Sequence, residues 1–361
     1  AKLGASPFSG VKLNANYFVS TDEVGSLSSD PASPNFRGPT LVPQKNSGYG
    51  LDLSWEPVSR LKFVAAYQKN SYWVNLGAPP VNDNAIRAEF SFERKIFKIR
   101  SFVQRAGTNF VAFGNPAIVG DRMTYNAQLG FYPAPWYSLS LGGDQYQDNL
   151  ANNPNRTTTT QRIINMGHSF QLPTATSISL NGSLNTAKGK PSTVLDNQTT
   201  TVGLSLAQAI KKHSLSFNAQ SSQFRDKNAL AHNLDTLTVG FSSSFKLRGG
   251  RGATLGLTQS ETKDKFTGSK RTSQSFGPGF SLPLSQSVRA QFWGTYTATK
   301  NTSTTLPADS RLLSVNSEYT WNCSKQTNVT IGLGGNSNKD AVTASNTYKE
   351  VTASMRLSYT F

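Results

Sequence analysis

The chain alternates. In "GVKLNANYFV", Val11, Leu13, Ala15, Tyr17 and Val19 fall on one face of an extended strand, and Lys12, Asn14 and Asn16 on the other. The same two-residue period recurs in "AIRAEFSFER", with Ile86, Ala88, Phe90 and Phe92 against Arg87, Glu89, Ser91 and Glu93. It recurs in "RMTYNAQLGF", "TLTVGFSSSFKL" and "SVRAQFWGTY", and again in "EVTASMRLSYTF", where Val351, Ala353, Met355, Leu357, Tyr359 and Phe361 take every second position. Helical periodicity does not compete with it, so the pattern predicts an all-β chain.

Connections of two kinds take turns between the strands. The short ones fall at 56–61, 93–98, 132–136, 171–176, 209–213, 247–252, 282–287 and 322–326, where Pro, Gly, Asn, Ser and Lys form turns. The longer, polar ones fall at 20–47, 74–83, 106–120, 148–157, 187–196, 225–233, 264–270, 300–309 and 337–346. This regularity predicts an antiparallel up-and-down β-barrel with one rim of turns and one rim of loops. Counting gives about 18 strands, within a range of roughly 16 to 20, in one transmembrane domain spanning residues 1–361. An even count places both termini on the turn side.

Composition sharpens this picture. Hydrophobic residues make up 36% of the chain and charged residues 16%; Ser, Thr, Asn, Gln and Gly fill much of the rest. No stretch reaches the ~20 apolar residues of a transmembrane helix. A barrel needs only strands of about ten residues with alternate apolar positions, so a mean hydropathy of −0.41 is compatible with a membrane. A sandwich of this size would break into domains, and a solenoid would show a fixed short period. Aromatics such as Trp55, Phe92, Phe131, Tyr137, Phe170, Phe245 and Trp321 recur beside the turns, as girdles at headgroup level do.

The terminal "SMRLSYTF" resembles the C-terminal β-signal of bacterial outer-membrane proteins, with Met355, Leu357, Tyr359 and Phe361 at its alternating positions. The resemblance implies recognition by the barrel-assembly machinery and pairing of the last strand with the first. It also implies a place in the bacterial outer membrane, with the short turns and both termini in the periplasm and the long loops outside. The topology is porin-like.

The formal net charge is +16. Basic residues form no tract beyond "RGGRG" and "KDKFTGSKR", and no RNA-binding aromatic motif accompanies them, so no nucleic-acid partner is expected. The alternation instead points Lys12, Lys62, Arg87, Lys98, Arg100, Arg122, Arg162, Arg289 and Arg356 inward, against fewer acids: Asp52, Glu89, Glu93, Glu318 and Glu350. A basic lumen favours anions. The expected function is a porin-like channel for passive diffusion of small solutes, anions preferred. The alternative is a structural barrel, a sheath or anchor in an electron-conduit or secretion assembly of the envelope, its lumen filled by a partner. Expected partners are outer-membrane lipid, the assembly machinery, and either further copies in a trimer or an envelope-complex subunit.

Little else carries chemistry. One cysteine and three scattered histidines offer no metal or cofactor site. No nucleophile elbow, HExxH or paired-carboxylate constellation is present, so no enzyme is expected. One loop stands out: 106–120 is apolar, with Phe110, Val111, Phe113, Ile118 and Val119. It reads as a constriction folded into the lumen, a docking patch, or two strands projecting above the membrane.

Overall fold

The computed structural model describes residues 1–22, 42–111, 118–228, 233–303, 307–324 and 326–359. They form one antiparallel sheet of 19 strands, and no described helix is long and apolar enough to cross a membrane. The chain divides into two compact units. The first holds residues 1–134, 138–166 and 184–197; the second holds 135–137, 167–183 and 198–361.

The strands follow the alternation closely. The early ones are β1 (Lys2–Phe8), β2 (Val11–Thr21), β3 (Lys45–Val58), β4 (Leu61–Trp73), β5 (Val81–Glu93), β6 (Phe97–Ala106) and β7 (Arg122–Ala134). Next come β8 (Tyr137–Asp148), β9 (Thr158–Leu172), β10 (Thr176–Lys190), β11 (Asp196–Ile210) and β12 (His213–Asp226). The last are β13 (Leu234–Lys246), β14 (Gly252–Asp264), β15 (Lys270–Pro283), β16 (Val288–Asn301), β17 (Ala308–Asn322), β18 (Thr327–Asp340) and β19 (Tyr348–Tyr359). From β1 to β7 and from β12 to β19, each strand pairs antiparallel with the next. Short and long connections alternate as the turn residues predict.

One strand was not anticipated. β1 precedes the expected first strand and turns into it at Ser9–Gly10, where Gly10 has φ 77° and a Cβ would lie 2.4 Å from the Glu56 carbonyl oxygen. The Gly, Ser and Pro in "KLGASPF" weaken its strand signal. The extra strand makes the count odd. Ala1 lies beside Tyr17, toward the end of β2 that enters a long connection, whereas Tyr359 pairs with Thr327 at a short turn. The two termini therefore lie at different kinds of strand end, not at one.

Burial runs opposite to that of a water-soluble protein. On β3, Tyr49, Leu51, Leu53 and Trp55 are exposed, while the alternate Asn46, Gly48 and Gly50 are buried. The largest fully buried side chains among the described residues are Asn46, Asn70 and Asn149. On β3–β5 the apolar face is the more exposed and the polar face the more covered. Water penalises that arrangement and a lipid surround favours it. The outward face is knit by aromatic contacts: Trp55, Phe63 and Phe90 form a row across β3–β5 with ring centroids 5.5 and 5.4 Å apart. Phe97–Phe131 and Tyr137–Phe170 each close to 5.0 Å.

Candidate functional site

Directly opposed residues of an antiparallel pair share a face, so the register assigns each charge. In the first unit, β2–β7 place Lys12, Lys62, Arg87, Lys98, Arg100 and Arg122 on the polar face. Lys62, Ser91, Arg100 and Gln128 form one lateral row across β4–β7. The acids Asp52, Glu89 and Glu93 share that face. Asp83, which the alternation had not singled out, joins them opposite Asn70.

Two of the arginines are built in. The Arg87 guanidinium lies 4.0 Å from the centroid of Phe102, pairs with Glu89 and donates to Gln104 Oε1 at 2.9 Å. Arg122 lies 4.0 Å from the centroid of Tyr146. Stacking on an aromatic face holds a guanidinium in place without neutralising it. Phe102 and Tyr146 are aromatics on the polar face, which the two-residue rule alone does not foresee. Lys98 and Glu93 are paired at 2.5 Å.

Arg162 departs from the expectation. It shares its strand face with the exposed Ile164 and Met166, and its Nε and Nη2 donate to Gln145 Oε1 at 3.0 and 2.8 Å. Arg162 therefore belongs to the apolar face, near the strand end that follows a long connection. There a long side chain reaches polar surroundings while its stem covers apolar surface.

The described ends of the apolar loop, 106–111 and 118–120, pack over the polar face of β3–β6. Asn46 Nδ2 and Asn70 Nδ2 both donate to the Val111 carbonyl oxygen, at 2.7 and 2.6 Å. Phe110 is buried against Ala85 and Ala106, and Ile118 packs on the same cluster. Asp83 holds the entry to the loop, accepting from the Asn109 N–H at 2.7 Å. At Gly107 a Cβ would stand 1.8 Å from Asp83 Oδ1, so a side chain there would displace that carboxylate. Asp121 ends the loop, accepting from Leu150 N and from Arg156 Nη1 at 2.8 and 2.7 Å. Val119 is exposed, and Phe113 lies outside the described residues. Beside Ile118 lies a hollow of about 280 Å³ lined by Asn16, Asp52, Gln68, Arg87 and Gln104. The tether came from two asparagines far away in sequence, so no local signal announced it.

In the second unit, Arg289, Thr320, Thr330 and Arg356 form one lateral row on the polar face of β16–β19, with Glu318 and Glu350 on the same face. Met355, Leu357 and Tyr359 line the outward face of β19; Phe361 lies outside the described residues. Where β18 enters its long connection, the backbone N–H groups of Thr343 and Val342 and the Asn346 side chain hold the Asp340 carboxyl below the usual carboxylate range. Among the described residues, no three His, Cys, Asp or Glu side chains cluster as metal ligands would.

No family model and no curated protein matches the chain. Its fold is matched by the siderophore receptor PirA from Acinetobacter baumannii, at 11% identity and a TM-score of 0.53, covering 97% of this chain and 69% of that one. The outer membrane protein OpdK from Pseudomonas aeruginosa matches at 12% identity and a TM-score of 0.43 over 97% of both chains. A BenF-like porin from Pseudomonas fluorescens matches at 11% identity and a TM-score of 0.42, over 97% of both chains. The PirA likeness shows the fold: an all-β, up-and-down antiparallel sheet of the outer-membrane β-barrel kind.

Proposed function

We propose that the chain is an outer-membrane channel for passive diffusion of small solutes, with a preference for anions. The observation that carries this reading is the inversion of burial on β3–β5, where an exposed apolar face is backed by a polar face that is mostly buried or half-buried, with Lys12, Lys62, Arg100 and Arg289 standing exposed on the polar side. In lipid, a sheet can leave no edge unpaired, so β19 closing on β1 completes the barrel in this reading. The polar face then surrounds water, and its arginines set the field that a solute meets. The loop entry tied down at Val111 by Asn46 and Asn70 narrows that passage. The short turns face the periplasm.

The test is the reversal potential of the purified protein in a planar bilayer under a salt gradient. The wild type should reverse toward the chloride potential. Arg100→Glu with Arg122→Glu should move the reversal toward the cation side. Steady openings without ion preference, unaltered by that double change, would refute the anion reading.

A further inference from the structure

Cations also stand on the outward face, where lipid is expected. In the second unit the apolar face of β16–β19 carries Lys300, Arg311, Lys339 and Lys349, all toward the strand ends that join long connections. Arg311 is directly opposite Lys339, and on its other side stands Ala298. Like charges placed directly opposite repel. Asp309, opposite Lys300, is the one acid that the register places on this face of β16–β19. Among the described residues, the same face of these strands carries Phe292, Tyr319 and Trp321 toward the turn end and no cation there. The asymmetry calls for an anion at one end only.

An apolar groove lies immediately below this cluster. It holds about 640 Å³ and is lined by Phe276, Phe280, Phe292, Tyr296, Leu313 and Leu333 among others. Gly294 and Gly335 make it: they flank the exposed Val315 on the outward face and leave no side chain on either side of it. Leu313 is two residues along β17 from Arg311, so groove and cations are continuous. Acyl-chain surface below and two unbalanced cations above match one kind of occupant.

We propose that this face is the seat of a phosphorylated membrane lipid, its chains in the groove and its phosphate between Arg311 and Lys339, with Lys349 beside them. The anion relieves the repulsion between the two opposed cations, and the lipid covers apolar surface that the glycines leave open. The proposal rests on the membrane reading but not on conduction, so a barrel that inserts and passes no current still tests it.

The experiment is native mass spectrometry of the folded protein with equal amounts of dioleoyl phosphatidic acid and dioleoyl phosphatidylcholine. The wild type should retain the phosphatidic acid selectively, with about fivefold lost for each cation removed. Arg311→Gln with Lys339→Gln should abolish the selectivity. Arg289→Gln with Arg356→Gln, the same charge change on the polar face, should leave it intact. Gly335→Leu, which fills the groove, should lower retention of both lipids. If the outward variant does not fold, the wild type decides: its selectivity should collapse once the screening length falls to about 3 Å. Equal retention of the two lipids by the wild type would overturn the proposal, as would selectivity that survives the outward double change.

Discussion

At the scale of single residues, the polar face is held by a few contacts between distant positions. Gly107 shows how tight they are. Its absent side chain is what lets Asp83 reach the Asn109 N–H and start the loop across the strands. Gly107→Ala should cost about 1–3 kcal/mol through displacement of Asp83, read as a lower midpoint in urea unfolding of the protein in micelles. An unchanged midpoint would mean that the loop entry has slack. Arg162 teaches the complementary lesson. The sequence reading points this cation inward, whereas Gln145 and the exposed Ile164 place it on the other face. Near the ends of a spanning strand, charge does not identify the face, because long side chains reach out of the apolar band from either side. The same logic hid Arg311 and Lys339 from the sequence.

Strands were the most legible elements. Each expected turn and each long connection falls between observed strands, because a buried polar face and an exposed apolar one demand strict alternation and tolerate turn formers only at the ends. The omission of β1 has a physical reason as well: seven residues carrying Gly, Ser and Pro leave too short an apolar series to read. The loop across the polar face was legible only as an apolar oddity. Its direction depended on Asn46 and Asn70, on other strands, and no local pattern encodes that. The assignment of faces has a direct consequence for stability. Leu53→Arg, outward on β3, should cost about 2–4 kcal/mol near the bilayer midplane. Ser54→Arg, its inward neighbour, should cost far less. Parallel urea unfolding of the two variants in lipid vesicles checks this, and equal losses would contradict the assignment.

For the whole molecule, three features agree that sequence alone could only juxtapose. Connections alternate in length, burial is inverted on the early strands, and the basic residues of a chain with net charge +16 are shared among the polar face, the outward face and short turns such as those holding Arg60 and Lys211. Some line the polar face, where Arg87 and Arg122 are braced on aromatic rings; others rim the outward face at the long-loop ends. A soluble β-protein has no use for either arrangement. The measurement that tests this most directly is relaxation of nitroxide labels placed singly at Leu51, Asp52, Leu53 and Ser54, in a Cys323→Ser background, with the protein in bilayers. Labels at 51 and 53 should be relaxed by dissolved oxygen, and those at 52 and 54 by a water-soluble nickel chelate. Uniform accessibility along the four positions, or the opposite alternation, would contradict the assignment of lipid to one face and water to the other.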